Sequence, residues 1–103
     1  MTARSPEAVE RKRINHNNRK RAFRSERNAF LSSIKNIPCM DCEKTYPPYV
    51  MDFDHVHGTK KSTVSRMAAY CSMQDLLEEI SKCEIVCANC HRIRTFTREQ
   101  HKK

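Results

Sequence analysis

The longest uninterrupted pattern in the chain is a helical one close to its first residue. Residues 7–36 contain no proline or glycine, Pro6 suits the first turn of a helix, and Ser5 is a suitable N-cap. The apolar residues of the second half recur at helical spacing: Phe23, Phe30, Leu31 and Ile34. The pattern predicts a long helix whose second half packs on a core, while its first half is polar on every side.

Shorter elements follow Pro38, which ends this segment. The sequence YVMDF at residues 49–53 is rich in aromatic, branched and apolar side chains and predicts a short strand. Gly58 is the only glycine of the chain and marks a turn soon after that strand. Residues 59–71 fit a strand that runs into a turn of helix, and their pattern does not choose between the two.

A helix at residues 73–82 is predicted more directly. Ser72 followed by Asp75 resembles a capping box with aspartate in the usual glutamate position. The apolar residues of this segment share one helical face: Met73, Leu76, Leu77 and Ile80. An extended piece at residues 84–86 and a closing helix at residues 91–100 complete the predicted elements.

The composition limits how large a core these elements can share. The chain has 103 residues, 38% of them hydrophobic, and contains no tryptophan, which allows one small domain with a thin core. It has no run of 18 apolar residues and no signal-peptide pattern, so we expect an intracellular protein with no membrane partner. In that compartment its six cysteines favour a metal or free thiols over disulfides.

Lysine and arginine are concentrated at the two ends of the chain. Residues 1–36 carry a net charge of +7, residues 37–90 carry −3 and residues 91–103 carry +4. Basic ends favour a polyanionic partner such as nucleic acid. The candidate phosphate contacts of the N-terminal helix are Arg19, Lys20, Arg21 and Arg24. A solvated, charged helix face is the alternative interpretation.

Two Cys-x-x-Cys pairs predict a structural zinc site. Cys39 and Cys42 form the first pair, and Cys87 and Cys90 form the second. Each pair can bind one metal from a tight turn, and together they complete the tetrahedral thiolate shell that zinc prefers. A redox role needs only one pair and leaves the other unexplained. Cys71 and Cys83 are predicted to be small buried residues.

A second group of residues has the composition of a hydrolytic metal site. Asp54, His55 and His57 lie together between the predicted strand and the turn at Gly58. A carboxylate can bind a hard cation such as Mg²⁺, and a neutral imidazole can take a proton from water. His91 follows Cys90 directly, so zinc would fix its position near the strand. A second structural metal site or ordinary surface histidines are the alternatives.

The segments FDHVHG and CANCHRIRT, preceded by CMDC, resemble the HNH (His-Me finger, ββα-metal) endonucleases. They are most similar to the zinc-containing branch of the phage recombination endonuclease VII type. The resemblance covers roughly residues 37–97. It implies an α+β fold: a small ββα-metal domain at residues 37–100, stabilised by the four-cysteine zinc site. A long basic helical extension at residues 1–36, the inserted helix at 73–82 and a basic tail at 101–103 would complete it.

The resemblance also implies roles for individual residues. His55 would activate the attacking water, while Asp54 and His91 would bind the catalytic Mg²⁺ or Mn²⁺. His57 would assist near the phosphate or the leaving oxygen. By strand alternation Asp52 shares a face with Asp54, which makes it a candidate third ligand.

Two features depart from the family pattern. Lys82 and Cys83 stand where many members carry an asparagine, and the helix at 73–82 replaces a simple turn. Further phosphate contacts are predicted around the site: Lys60, Lys61, Arg92, Arg94 and Arg98. Arg94 and Arg98 share one face of the closing helix, and a solvated helix face is again the alternative.

The sequence therefore predicts a metal-dependent DNA endonuclease with nicking, nonspecific or branched-DNA activity. The main alternative is a non-catalytic, zinc-stabilised DNA-binding module, and a redox or metal-handling protein is a weaker one. The apolar stripe of the N-terminal helix could form a homodimer or simply cover the core. Recruitment to a larger DNA-processing or packaging complex is a further possibility, in the cytoplasm of a bacterial host if the chain is phage-encoded, as the resemblance suggests.

Overall fold

The computed structural model describes the backbone of residues 5–101; the remainder of the predicted basic tail lies outside the described residues. Five helices or helical turns and two strands follow one another along the chain. In order they are α1 (Pro6–Ile34), a 3-10 turn (Pro48–Val50), β1 (Met51–His55), α2 (Val64–Ala68), α3 (Met73–Ile80), β2 (Cys83–Cys87) and α4 (Ala88–His101). The predicted α+β fold class is confirmed at this level, with one two-stranded sheet among the described residues.

Helix α1 begins as its sequence predicts, and part of its predicted apolar stripe packs on the core. Ser5 accepts a hydrogen bond from the backbone N–H of Ala8 at 3.2 Å, and Pro6 occupies the first turn. Leu31 is the residue that this helix buries, and Phe30 packs beside it against the core. The first half is exposed to solvent except at Ala8, which is half-buried. None of the helices among residues 5–101 is both long and apolar enough to cross a membrane.

Strands β1 and β2 form an antiparallel pair in which Met51 lies opposite Cys87 and His55 lies opposite Cys83. The first strand begins two residues later than predicted. The reason is the proline pair before it: Pro48 starts a 3-10 turn, and the backbone N–H of Val50 bonds to Pro47 O rather than to a strand partner. Tyr49 is consequently 86% exposed.

The remaining helices are short and capped by hydroxyl side chains. Thr63 accepts from the backbone N–H of Arg66 at the start of α2, which shows that the ambiguous segment 59–71 contains a helix. Ser72 accepts from the N–H of Asp75 as predicted, and α3 ends at Ile80, two residues early. Helix α4 starts three residues before the predicted position, directly after β2. The second Cys-x-x-Cys pair therefore spans a strand-to-helix junction.

The thin core is divided into two clusters. The helical core contains Leu31, Val64, Met67, Ala68 and Leu76. The cysteine core contains Cys39, Met51, Val86 and Cys87. Strand β1 contributes to both, because Met51 lies in the cysteine core and Phe53 packs against the helical core. The sheet thus joins two small cores. A cluster of polar or ionisable side chains lies beside each of them.

Candidate functional site

The four predicted zinc ligands meet at one point. The sulfur atoms of Cys39, Cys42, Cys87 and Cys90 all lie within 4.8 Å of one another, and the Sγ atoms of Cys42 and Cys87 are 4.0 Å apart. A tetrahedral zinc ion with Zn–S bonds of about 2.3 Å separates its sulfurs by roughly 3.8 Å. The cysteines are therefore positioned to bind a metal ion, as predicted, and their donor type and spacing fit zinc.

Backbone contacts hold this thiol cluster in shape before any metal binds. The turn after Cys39 contains Glu43 at a positive φ of 63°, and Met40 N–H donates to Ile85 O at 3.0 Å, attaching the turn to β2. Cys87 N–H donates to the sulfur of Cys39 at 3.2 Å. Amide donors of this kind favour the thiolate, which is the form that binds a metal.

The ionisation of the cluster also suits a cation. Burial opposes charge on Cys39, but backbone N–H groups, including those of Cys42 and Cys87, lower the pKa of its thiol to about 6. Hydrogen bonding to neighbouring thiols, Cys87 first, raises the pKa of Cys90 to about 12. Cys39 thus ionises easily while Cys90 resists ionisation, since like charges this close repel. A bound dication removes that repulsion.

The other two cysteines lie elsewhere. Cys71 and Cys83 pack against the helical core and lie outside the thiol cluster, but they are half-buried rather than buried as predicted. Burial raises the pKa of the Cys83 thiol to about 11, which keeps it protonated and unreactive at neutral pH.

A cavity of about 500 Å³ at the end of β1 contains the candidate hydrolytic residues. Asp54 and His55 line it from the strand, and His91 lines it from the first turn of α4. Lys60 and Arg98 add positive charge to its wall. His57 is exposed beyond the strand and does not line this cavity.

Strand alternation places the candidate ligands on the face that α4 covers. Asp52 Oδ2 lies 3.0 Å from His91 Nδ1, and Asp54 Oδ1 lies 3.5 Å from His91 Nε2. Because an ionised carboxylate only accepts hydrogen bonds, Asp52 selects the tautomer with hydrogen on Nδ1. Nε2 then carries no hydrogen and lies near Asp54 Oδ1. A carboxylate on one ring nitrogen, with the other nitrogen free, is the usual arrangement for a metal-binding histidine.

Asp54 already has strong partners. It is buried, and Arg98 forks onto both of its oxygens at 2.8 and 2.6 Å while Arg94 contacts Oδ2 at 2.9 Å. These guanidinium groups, Arg98 first, lower the pKa of Asp54 to about 2. Asp54 offers a carboxylate of the kind that hard cations take, but Arg94 and Arg98 occupy both of its oxygens in this structure.

The predicted phosphate contacts divide into two groups. Arg94 is largely buried and donates to three carboxylates, those of Asp41, Asp54 and Glu84, at 2.6 to 2.9 Å. Its guanidinium therefore binds the protein itself rather than facing solvent. The other residues are exposed: Arg19, Lys20, Arg21, Arg24, Lys60, Lys61, Arg92 and Arg98.

Three of the α1 residues line a separate groove beside an exposed tyrosine. Arg19, Lys20 and Arg24 face Tyr70, which follows α2 and is 65% exposed, across a space of about 500 Å³. Phe23 forms the base of this groove, and the guanidinium of Arg27 stacks on the Phe23 ring at 4.5 Å. Arg27 also donates to Cys71 O at 2.9 Å, which fixes α1 against the α2–α3 junction.

Sequence reasoning missed Glu79, the most deeply buried charged residue in the described structure, at 1% exposure. It accepts hydrogen bonds from Lys82 Nζ at 2.8 Å, from His55 Nε2 at 2.9 Å and from the backbone N–H of Lys61 at 3.0 Å. The Lys82 ammonium is the main reason that the pKa of Glu79 is lowered to about 2. Its position three residues after Leu76, on the buried helical face, was the available signal.

No family model, curated protein sequence or solved structure matches the chain.

Proposed function

We propose that the protein is a metal-dependent endonuclease that hydrolyses phosphodiester bonds in DNA. The observation that carries this proposal is the cavity at the end of β1, because Asp54, His55 and His91 all line it. A carboxylate, two imidazoles and nearby ammonium and guanidinium groups are the side chains that phosphodiester hydrolysis uses. The resemblance of FDHVHG and CANCHRIRT to the ββα-metal endonucleases points in the same direction.

In this proposal His55 is the general base. Its imidazole lies on the cavity wall and is held by Glu79 on the side away from α4. From there it takes a proton from the water that attacks phosphorus. His57 remains a candidate auxiliary group only if the substrate extends beyond the cavity, because its side chain is exposed outside it.

Asp54 and His91 are the proposed ligands of Mg²⁺ or Mn²⁺. When bound, such a cation would neutralise the charge that develops on the phosphate and the leaving oxygen. Asp52 holds the His91 ring in position through Nδ1. Arg98 is 46% exposed and can turn from Asp54 toward a substrate phosphate, so DNA binding and cation binding would assist each other.

The substrate class is supported by the positive charge around the cavity and along α1. Lys35 and Lys60 line the cavity, and the exposed basic residues of α1 continue the positive surface away from it. Affinity based on phosphate contacts of this kind weakens steeply with salt. We therefore expect Lys60→Gln to reduce the salt dependence of DNA binding, while Arg94→Gln, whose side chain is occupied internally, leaves it unchanged.

Cleavage of supercoiled plasmid by zinc-loaded protein tests the proposal. Magnesium should be omitted rather than chelated in the control reaction, because a chelator also competes for the thiol-bound metal. We expect magnesium-dependent nicking that falls at least about 100-fold in His55→Ala and is unchanged in His101→Ala, a matched loss of histidine. Equal cleavage by His55→Ala would contradict the assignment, and a four-way junction in parallel reactions separates branched-DNA from general nicking activity.

The second candidate is a zinc-stabilised DNA-binding module without catalytic activity. It is favoured by one observation, that both oxygens of Asp54 are already bound by Arg94 and Arg98. Such a module would bind DNA equally well with or without magnesium and leave the plasmid intact in every reaction.

A further inference from the structure

The burial of Glu79 has to be explained by what it binds. It lies on the short helix α3 beside Leu76 and Ile80, which face the helical core. An ionised carboxylate in such surroundings is costly unless donors surround it. Two of its donors come from distant positions, His55 on β1 and the backbone N–H of Lys61, and the third is the Lys82 ammonium three residues after it.

The charge on Glu79 is balanced without help from His55. Lys82 Nζ lies 2.8 Å from Oε1 and also donates to Thr59 O, so a full positive charge is fixed on that side of the carboxylate. The other oxygen, Oε2, receives the Lys61 N–H and the imidazole. His55 is therefore not needed as a counter-charge. An imidazole that donates from Nε2 supplies the hydrogen bond that Oε2 receives.

This contact determines which imidazole nitrogen is free. An ionised carboxylate has no hydrogen to give, so the hydrogen between Glu79 and His55 belongs to Nε2. A neutral imidazole then carries its lone pair on Nδ1. His55 lines the cavity that contains Asp54 and His91, and within the described part of the chain Nδ1 has no hydrogen-bonding partner.

We propose that Glu79 is a positioning residue that holds His55 as the Nε2–H tautomer and turns Nδ1 toward the cavity, an inference that rests on the proposed nuclease function. The same Oε2 atom holds the Lys61 N–H, so it also fixes the loop in which Lys60 reaches the cavity wall. Helix α3, the element that departs from the resembled family, thus supplies the group that orients the general base.

A matched pair of double variants tests the role of the Glu79 oxygen. Glu79→Gln with Lys82→Met keeps an acceptor for His55, whereas Glu79→Leu with Lys82→Met removes it. Both remove one negative and one positive charge, so their net charge is the same as that of the starting protein. Glu78→Gln, at an exposed position on the same helix, is the control for loss of a carboxylate.

The first readout is spectroscopic and does not depend on activity. The ¹⁵N and ¹H imidazole signals of His55, recorded on zinc-loaded protein without magnesium at a pH where the ring is neutral, report the tautomer directly. We expect the Nε2–H form in the starting protein, in Glu78→Gln and in the glutamine double variant. The leucine double variant should show a mixture of both tautomers. An unchanged tautomer in that variant would overturn the inference.

The second readout is single-turnover plasmid cleavage, with DNA affinity measured separately. The leucine double variant should cleave about 10- to 100-fold more slowly at unchanged affinity, while the glutamine double variant stays within a few-fold of the starting rate. Equal rates for the two double variants would also overturn the positioning role. If the starting protein cleaves nothing, the proposed function fails, and the tautomer signals still decide whether Glu79 orients His55.

If the leucine double variant fails to fold, a second variant, Glu79→Asp, tests the inference. Glu79→Asp keeps the charge beside Lys82 but withdraws the carboxylate by one methylene from His55. It should retain the fold while showing the same mixture of tautomers and the same loss of rate. A wild-type tautomer and rate in a folded Glu79→Asp protein would contradict the inference.

Discussion

The two polar clusters beside the core both compensate for its small apolar area, but they do so by different means. The thiol cluster joins the turn at 39–42 to the junction at 87–90. The Glu79 cluster, made of Glu79, His55, Lys82 and the Lys61 backbone, joins β1, the following loop and the end of α3. Each replaces apolar area that so short a chain does not have.

The difference between the clusters lies in where the positive charge comes from. The four thiols must obtain a cation from solution, because they repel one another once ionised. Glu79 has its cation in the chain, at Lys82. Stability of the cysteine core should therefore depend on metal supply, whereas the charge balance of the Glu79 cluster needs no ion from solution.

Loss of one zinc ligand should have the largest effect. Cys87→Ser removes a sulfur at the centre of the thiol cluster and opens the shell. Since structural zinc sites of this type contribute on the order of 10 kcal/mol to folding, we expect loss of bound zinc and extensive unfolding. Metal content per chain and far-UV circular dichroism during heating are the measurements.

Cys71→Ser is the matched control for that experiment, because Cys71 is a half-buried cysteine outside the thiol cluster. It should keep one zinc per chain and nearly the same melting temperature. A Cys87→Ser protein that folds without zinc at the original melting temperature would show that the cysteine core needs no metal.

Breaking the Glu79 cluster on one side should cost less. Glu79→Leu leaves Lys82, with 16% of its side chain exposed, beside an apolar residue and leaves the Lys61 N–H without an acceptor. We expect the free energy of unfolding to fall by about 2 kcal/mol in urea titrations of zinc-loaded protein. The double variant with Lys82→Met should recover part of that loss, because no uncompensated charge remains.

Glu78→Gln provides the baseline for these titrations, with an expected change within about 0.5 kcal/mol. If the single and double variants were equally stable, Lys82 would contribute nothing to the burial of Glu79. The charge balance within the cluster would then have to come from His55 instead.

Much of the thiol cluster was predictable from sequence, and little of the Glu79 cluster was. Two Cys-x-x-Cys pairs are a local spacing, and that spacing already determines which atoms can meet. Lys82 is three residues from Glu79 and its contact is local, but His55 and Lys61 are 24 and 18 residues away and only the tertiary fold brings them to Glu79. The N-caps of three helices are also local features. Ser5 and Ser72 were predicted as caps from the sequence, whereas Thr63 was not, because it lies in the ambiguous segment 59–71.

Prediction of the candidate site from the sequence was limited in the same way. Strand alternation indicated that Asp52 and Asp54 share a face, and their contacts with α4 agree. The helical spacing of Arg94 and Arg98 was also apparent, but not their bonding to Asp54. That bonding depends on three carboxylates from different segments converging on α4, which no local pattern encodes.

Arg94 connects two regions, the first cysteine turn and the sheet, so replacing it should have an intermediate effect. Its guanidinium joins Asp41 in the first cysteine turn to Asp54 and Glu84 on the sheet. We expect Arg94→Leu to lower the free energy of unfolding by about 1 to 2 kcal/mol. Arg98→Leu should cost only about 0.5 kcal/mol, because Arg98 is 46% exposed and solvent screens its contact. Equal losses in urea titrations would mean that Arg94 does not connect the regions.

Lowering the pH should affect the two clusters differently, and the smallest of these effects should be the protonation of Glu79. Its pKa is lowered from 4.5 to about 2, chiefly by Lys82, so its stabilising contribution is fully present above pH 4.5 and is lost as the pH falls toward 2. Thiolates bind protons at higher pH than carboxylates do, so zinc should leave first. Between pH 8 and pH 4.5 we therefore expect the ¹³C signal of the Glu79 carboxyl to stay constant wherever zinc is bound. A midpoint at or above pH 4.5 in that signal would show that Lys82 does not hold the carboxylate ionised, and would remove the physical basis for a fixed His55 tautomer.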